Sequence, residues 1–290
     1  MSFLRRTASR GALVVFVSLA AACAPSATVR AQSLVRQNRE DEAVAILRQR
    51  LTGHPEDVAA RRLLVRVLGA TGDMVAARAE VVELARWLPP NDPSPYIELG
   101  HALELTHGYD EALAAYDEAA AVAPASPDGP REGGMRCARW GEIEEARPRL
   151  EEALRRGAHD AETWHALGLV RLHLNDYDGA VEAYRAGTAA DPQGAENWLG
   201  LATVGVVRGD PQLALAAYDQ VLARSPRFAS AELGRAWALA TMGRKDEAER
   251  ALRRAEEMGA PAGYVARQRT ALTAPAAIAP PASPVHDGDR

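Results

Sequence analysis

Side chains able to do chemistry are sparse in this sequence, and their spacing keeps them apart. Seven histidines are present, and His165 and His173 come nearest to a chelating pair. Eight residues at 100° each leaves them about 80° apart around a helix, a poor arrangement for holding one metal ion. His101 and His107 are no better, because His107 falls with Gly108 in a turn sequence. The acidic pairs at Glu144 and Glu145, Glu151 and Glu152, and Glu256 and Glu257 are sequence neighbours, so they belong to a solvated helix face rather than to acid–base work. There is no glycine-rich phosphate loop, G-x-S-x-G, H-E-x-x-H, paired C-x-x-C or calcium loop. The residues therefore point to no enzyme, no cofactor and no metal. Of the two cysteines, Cys137 lies in a helical stretch and reads as a small core residue. Cys23 stands in a different context.

Arg5, Arg6 and Arg10 precede an apolar run from Gly11 to Ala22. Twelve residues at 1.5 Å each reach about 18 Å, short of the ~30 Å hydrocarbon core of a bilayer. Positive charge, a short apolar run and then small residues make an export signal, so residues 1–22 are expected to direct the chain out of the cytoplasm. Ala20-Ala21-Ala22-Cys23 resembles the lipobox of bacterial lipoproteins, in which the cysteine is acylated and the chain is cut just before it. That family prefers Leu three residues before the cysteine, where this chain has Ala20, with Leu19 one residue further back. The resemblance implies lipidation of Cys23 and a lipid anchor and tether over residues 23–31. With Ala24 rather than Asp after the cysteine, it also implies the periplasmic face of the outer membrane. Cleavage at the A-x-A of Ala20 to Ala22, or near Ala31, is the alternative and would give a soluble periplasmic protein.

The elements that must position any binding surface are helices. The chain has 290 residues, 47% of them hydrophobic and only 5% aromatic. It is rich in Ala, the best helix former, and poor in β-formers. The 34 basic and 39 acidic residues give a net charge of −5, which offers no basic surface for nucleic acid. Lys245 is the only lysine, an arginine bias without functional weight here.

A 34-residue period organises the rest. From Ala161 the pattern runs Trp164, Leu167, Gly168, Ala180, Tyr184 and Pro192; from Ala195 it returns as Trp198, Leu201, Ala202, Ala214, Tyr218 and Pro226. Pro93 opens a clear unit with Tyr96, Leu99, Gly100, Ala112, Tyr116 and Pro124, and Pro127 and Ala229 open looser ones. Val58 opens another, and Ala24 a ragged one that matches mainly at Ala43, Leu47 and Pro55. These spacings resemble the tetratricopeptide repeat (TPR), which implies an all-α solenoid: a right-handed superhelix of antiparallel helix pairs, with each first helix (A) on the concave side. Small residues such as Gly168 and Ala180 fall where helices approach closely, and Tyr184 and Tyr218 fill the space toward the next helix. The array is expected over residues 32–262, a capping helix over 263–272 and a disordered Pro- and Ala-rich tail over 273–290. Pro127, Gly129, Pro130, Gly133 and Gly134 predict a helix that starts late, near Arg131, and a bend or softer joint there.

In the TPR family, ligand peptides lie against set positions of the A helices. Carried onto this sequence, the fifth and ninth positions are Arg62 and Arg66, Ile97 and His101, Arg131 and Met135, His165 and Leu169, Leu199 and Thr203, and Leu233 and Trp237. The resemblance thus implies an extended protein partner with acidic groups toward the first repeats. Hydrophobic side chains would lie toward the last, where Trp237 is an exposed aromatic candidate. Signal, anchor and repeats together are similar to the assembly lipoproteins of the tight-adherence (Flp) pilus and to type IV pilotins, which implies secretin or pilus assembly subunits as partners. An adaptor for peptidoglycan or polysaccharide enzymes and a soluble periplasmic chaperone are the other readings.

Overall fold

The computed structural model describes residues 25–273. The signal segment, Cys23 and the tail beyond residue 273 lie outside the described residues. Among those described, every regular element is a helix. They form seven hairpins: α1 (Ala27–Val35) with α2 (Glu40–Gly53), α3 (Val58–Ala70) with α4 (Met74–Ala85), α5 (Ser94–Leu105) with α6 (Tyr109–Val122), and α7 (Asp128–Trp140) with α8 (Ile143–Arg155). They continue as α9 (Ala161–His173) with α10 (Tyr177–Ala190), α11 (Glu196–Arg208) with α12 (Pro211–Arg224), and α13 (Ala229–Thr241) with α14 (Lys245–Glu257). A last helix, α15 (Ala262–Thr273), packs on α13 and α14. This is an all-α TPR array.

One short device sets the period. Gly72, Gly141, Gly209 and Gly243 recur near the end of each A helix with positive φ, and Asn38, His107 and Asn175 hold the same place in the other hairpins. The left-handed residue lets the next amide turn back and close the helix. Asp73 N–H donates to Leu68 O at 2.9 Å, Asp176 N–H to Arg171 O at 2.9 Å, and Asp210 N–H to Gly205 O at 2.7 Å. The carboxylates of the same three aspartates then accept from Ala76, Gly179 and Leu213 N–H and start the B helix. A single residue thus ends one helix and opens the next.

The described residues divide into two compact units: those up to Leu88 with His101–His107, and Pro89–Gly100 with Gly108 to residue 273. The first has its core in Ala31, Ala43, Leu47, Leu64, Leu68 and Ala77. Residues 27–31, expected as tether, belong instead to α1: Ser26 caps it by accepting from Val29 N–H at 3.2 Å, and Ala31 is buried in that core. In the second unit α8, α10, α12 and α14 each pack both on their own A helix and on the helix that follows. Large and small side chains match at these joints. Tyr184 of α10 lies against Gly168 of α9, where a methyl group would sit 2.7 Å from its ring, and against Gly200 of α11, where a methyl group would overlap it. Tyr218 meets Gly234 in the same way. Where α8 carries Leu150 at the equivalent position, α9 offers Ala166 in the same cluster.

The same packing corrects the expectation of a late helix start after Pro127. α7 begins at Asp128 and so includes Gly129, Pro130, Gly133 and Gly134. Pro130 lies in the first turn, where amides have no intrahelical partner to lose. A methyl group at Gly129 would overlap the Ala120 backbone, and one at Gly134 would lie 2.8 Å from Leu150, so these glycines let helices touch rather than loosen them. Pro148 is inside α8 on its exposed side, where the carbonyl it leaves without a helical donor is not enclosed in the core. Amide exchange across α7 and α8 is expected to be as slow as in α9 and α10, measured by mass spectrometry. Gly200→Ala is expected to cost about 1–3 kcal/mol in denaturant unfolding. Adding Tyr184→Leu should recover part of that loss, read as a coupling in a double-mutant cycle.

Candidate peptide-binding surface

In the second unit, α7 packs directly on α9 and α9 on α11, whereas successive B helices make no comparable contact among the described residues. The A helices therefore lie closer together and form the inner side of that stack. Their half-buried side chains are Met135 on α7, His165, Leu169 and Leu172 on α9, and Leu199, Thr203 and Val206 on α11. Leu172, Leu199 and Val206 rest on one core cluster and Met135 on another, so each is held from below with its outer side open. The Thr203 hydroxyl donates to Leu199 O at 2.9 Å, which leaves that position mainly its methyl group to offer. His165 is steadied by Tyr184, ring centroids 5.5 Å apart. The floor is mainly apolar and backed by the core.

Charges border it on both sides. Asp128, Glu162 and Glu196 are exposed in the first turns of α7, α9 and α11, and Arg139, His173 and Arg208 are exposed near their last turns. This arrangement complements the helix dipoles and gives the surface an acidic and a basic margin, in which Glu162 already pairs with Arg131 and Arg208 with Asp178.

The structure relocates three of the expected contact residues. Leu233 is 8% exposed and Trp237 4%, so neither is open to a ligand. Leu233 packs with Leu239, Leu252, Val265 and Leu272 because α15 covers the last A helix. Trp237 is buried in the cluster of Leu201, Val204, Tyr218 and Val221, so the exposed aromatic expected there is a core residue. Arg131 is already engaged by its own chain. Its guanidinium donates to Glu162 Oε2 at 2.6 Å, Thr163 Oγ1 at 3.0 Å and Asp160 Oδ2 at 3.3 Å, which locks α7 to the start of α9. In the first unit Arg62 is half-buried, Arg66 exposed and His101 half-buried; Ile97, in the second unit, is half-buried. Two open apolar residues, Leu172 and Val206, were missed. They sit three residues past Leu169 and Thr203, in the same frame, where the periodicity alone would have found them.

Cys137 is fully buried on α7, and burial pushes its thiol up to about 11, so it stays protonated at neutral pH. Among the described residues no three His, Cys, Asp or Glu side chains converge to hold a metal ion.

Stacked helical hairpins with an open apolar inner face define a repeat-built scaffold. The chain belongs to the tetratricopeptide repeat family, which matches residues 28–94, 139–195 and 199–263. No curated protein matches it by sequence. Among solved structures it is similar to MamA, at 21% identity over 58% of this chain and 92% of that one, TM-score 0.55. YrrB, described as a TPR protein with an unusual peptide-binding site, is 20% identical over 62% and 93%, TM-score 0.56. The C-terminal part of a TPR protein from Cytophaga hutchinsonii is 14% identical over 83% and 98%, TM-score 0.63.

Asp160 is the clearest electrostatic joint at this surface. Burial pushes its carboxyl up, but the Thr163 hydroxyl and amide and then Arg131 more than offset this, so it titrates below the ordinary carboxylate value. It caps α9, accepting from Thr163 N–H at 2.9 Å. A lowered folded value means that the stabilisation is present above the unfolded pKa of about 3.9 and is lost as pH falls through the folded one. Its side chain is 45% exposed, so solvent screens much of the ion pair and the cap dominates. Asp160→Ala is expected to cost about 1 kcal/mol at pH 7. Urea titrations at pH 7 and at about pH 3 check this, and the difference from the unsubstituted chain should shrink at the lower pH.

Proposed function

We propose that the chain is an exported, lipid-anchored TPR scaffold on the periplasmic face of the outer membrane. It holds an extended polypeptide segment against the A helices and serves the assembly of an envelope machine, a tight-adherence or type IV pilus or a related secretion system. The observation that carries the binding reading is the row Leu172, Leu199 and Val206, half-buried side chains packed on one core cluster, with the half-buried Leu169 beside them, between an acidic and a basic margin. A segment with alternating apolar and charged side chains fits both features, with its apolar groups on the floor and its charges on the margins. Peptide binding by YrrB supports this use of the fold. The envelope address rests on the sequence before residue 25: the arginines, the apolar run and Cys23. Secretin or pilus assembly subunits are the partners this reading names.

Affinity capture from envelopes, with the exported chain as bait, tests the assignment. Subunits of one envelope machine should be retained by the unsubstituted chain and lost with Leu172→Glu and Val206→Glu together. Removing two apolar contacts is expected to weaken binding by about tenfold or more. Retention by the doubly substituted bait would refute the surface. Recovery of peptidoglycan or polysaccharide enzymes would refute the machine. For the anchor, Cys23→Ala should abolish the acylated N-terminal peptide, read by its mass; an unmodified Cys23 in the unsubstituted chain would refute it.

A further inference from the structure

The seven B helices can be superposed by their first residues, Glu40, Met74, Tyr109, Ile143, Tyr177, Pro211 and Lys245. At the second position six of them carry Asp41, Asp110, Glu144, Asp178, Gln212 and Asp246; α4 carries Val75. At the ninth position the six carry Arg48, Asp117, Glu151, Arg185, Asp219 and Arg253; α4 carries Val82. Both valines face outward, 85% and 59% exposed. Residues seven apart share one helix face, and the exposed Ala79 lies between them. Trp87, 46% exposed, follows just past the helix end, Arg78 is exposed beside the stripe, and Arg86, exposed in line with the valines, pairs with Glu83 at 2.9 Å. One helix of seven has thus replaced the charges that keep its outer face in water.

We propose that this face of α4 contacts an anionic phospholipid bilayer and seats the first unit on the membrane surface. The inference rests on the acylated Cys23 of the proposed function. Cys23 is four residues before Ala27, so an anchor there lies within about 14 Å of the start of α1. In antiparallel hairpins the start of an A helix and the end of a B helix share an edge, which puts Trp87 on the edge of the unit that holds the start of α1. The size of the stripe selects the occupant. Twelve residues of helix are about 18 Å long and ~10 Å wide, a footprint on the order of 200 Å². A specific protein partner needs about 800 Å² per side, so a second copy or another protein finds too little here. A bilayer needs only a few apolar side chains with an indole at the interface and guanidinium groups toward the headgroups, added to an existing anchor.

The experiment uses the exported chain with Cys23→Ala, so that α4 acts without acyl chains, and sedimentation with a large excess of vesicles of phosphatidylglycerol and phosphatidylethanolamine, enough to read the weak binding of a few side chains alone. The chain is expected to bind. Adding Val75→Asp and Val82→Arg, which restores charges of the kind the other repeats carry, should weaken binding by about tenfold or more. The midpoint of urea unfolding should stay unchanged, because both sites are exposed. Equal binding by this variant, or no binding before the two substitutions, would overturn the proposal. So would a dimer, seen by sedimentation equilibrium, that the two substitutions abolish. The mass of the N-terminal peptide from the unsubstituted chain reports separately on the anchor, so failure of one reading is distinguishable from failure of the other.

Discussion

The fit of tyrosine into glycine between consecutive hairpins is the constraint on which the second unit depends. Tyr184 reaches both Gly168 of its own hairpin and Gly200 of the next, and Tyr218 meets Gly234 across the following joint. A ring of that size brings a large buried apolar surface to a joint, and the missing side chain opposite lets the helices close on it. Burial raises the phenol groups of both residues well above their ordinary value, as expected for rings enclosed on all sides. Leu150 with Ala166 shows the same rule at smaller scale. Helix spacing is set by these pairs, and the spacing brings the A helices together on one side.

The inner surface follows from that spacing. Leu172, Leu199 and Val206 are held from below by the same clusters that hold the joints, so their positions change only if the joints do. Charge enters at the margins because helix ends select it: acids in first turns, bases in last turns. Some of that charge is consumed internally. Arg156 donates to Ala120 O at 3.0 Å and Ser126 O at 3.3 Å, closing the turn between α6 and α7, and Arg224 donates to Pro192 O at 2.8 Å while lying 5.2 Å over the Trp198 ring. These arginines satisfy carbonyls that a helix end or turn leaves open.

The array was legible because 34-residue spacing is a one-dimensional property, carried by Gly168, Tyr184, Pro192 and their counterparts. The turn residues were equally plain, since left-handed backbone selects Gly and Asn. What remained hidden depends on neighbours in space. Trp237 has the right register for the inner face, but it is turned into the packing with Tyr218. Leu233 has it too, but α15 closes over it. Arg131 looked open to an acidic ligand until the fold delivered Asp160 and Glu162, some thirty residues later, to its guanidinium. The glycines after Pro127 were read by propensity alone, which counts the entropy they lose and not the contact they permit.

The tyrosine–glycine fit also limits how such an array can grow or shrink. Each joint is written half in one hairpin and half in the next, so a hairpin copied or deleted as a block meets a foreign mate. Inserting the α9–α10 hairpin after α8, for instance, would leave Leu150 its Ala166 but would set the first Tyr184 against a second Ala166 in place of Gly200. The heritable module is therefore offset from the visible one: it runs from the middle of one hairpin to the middle of the next, carrying each lock together with its key.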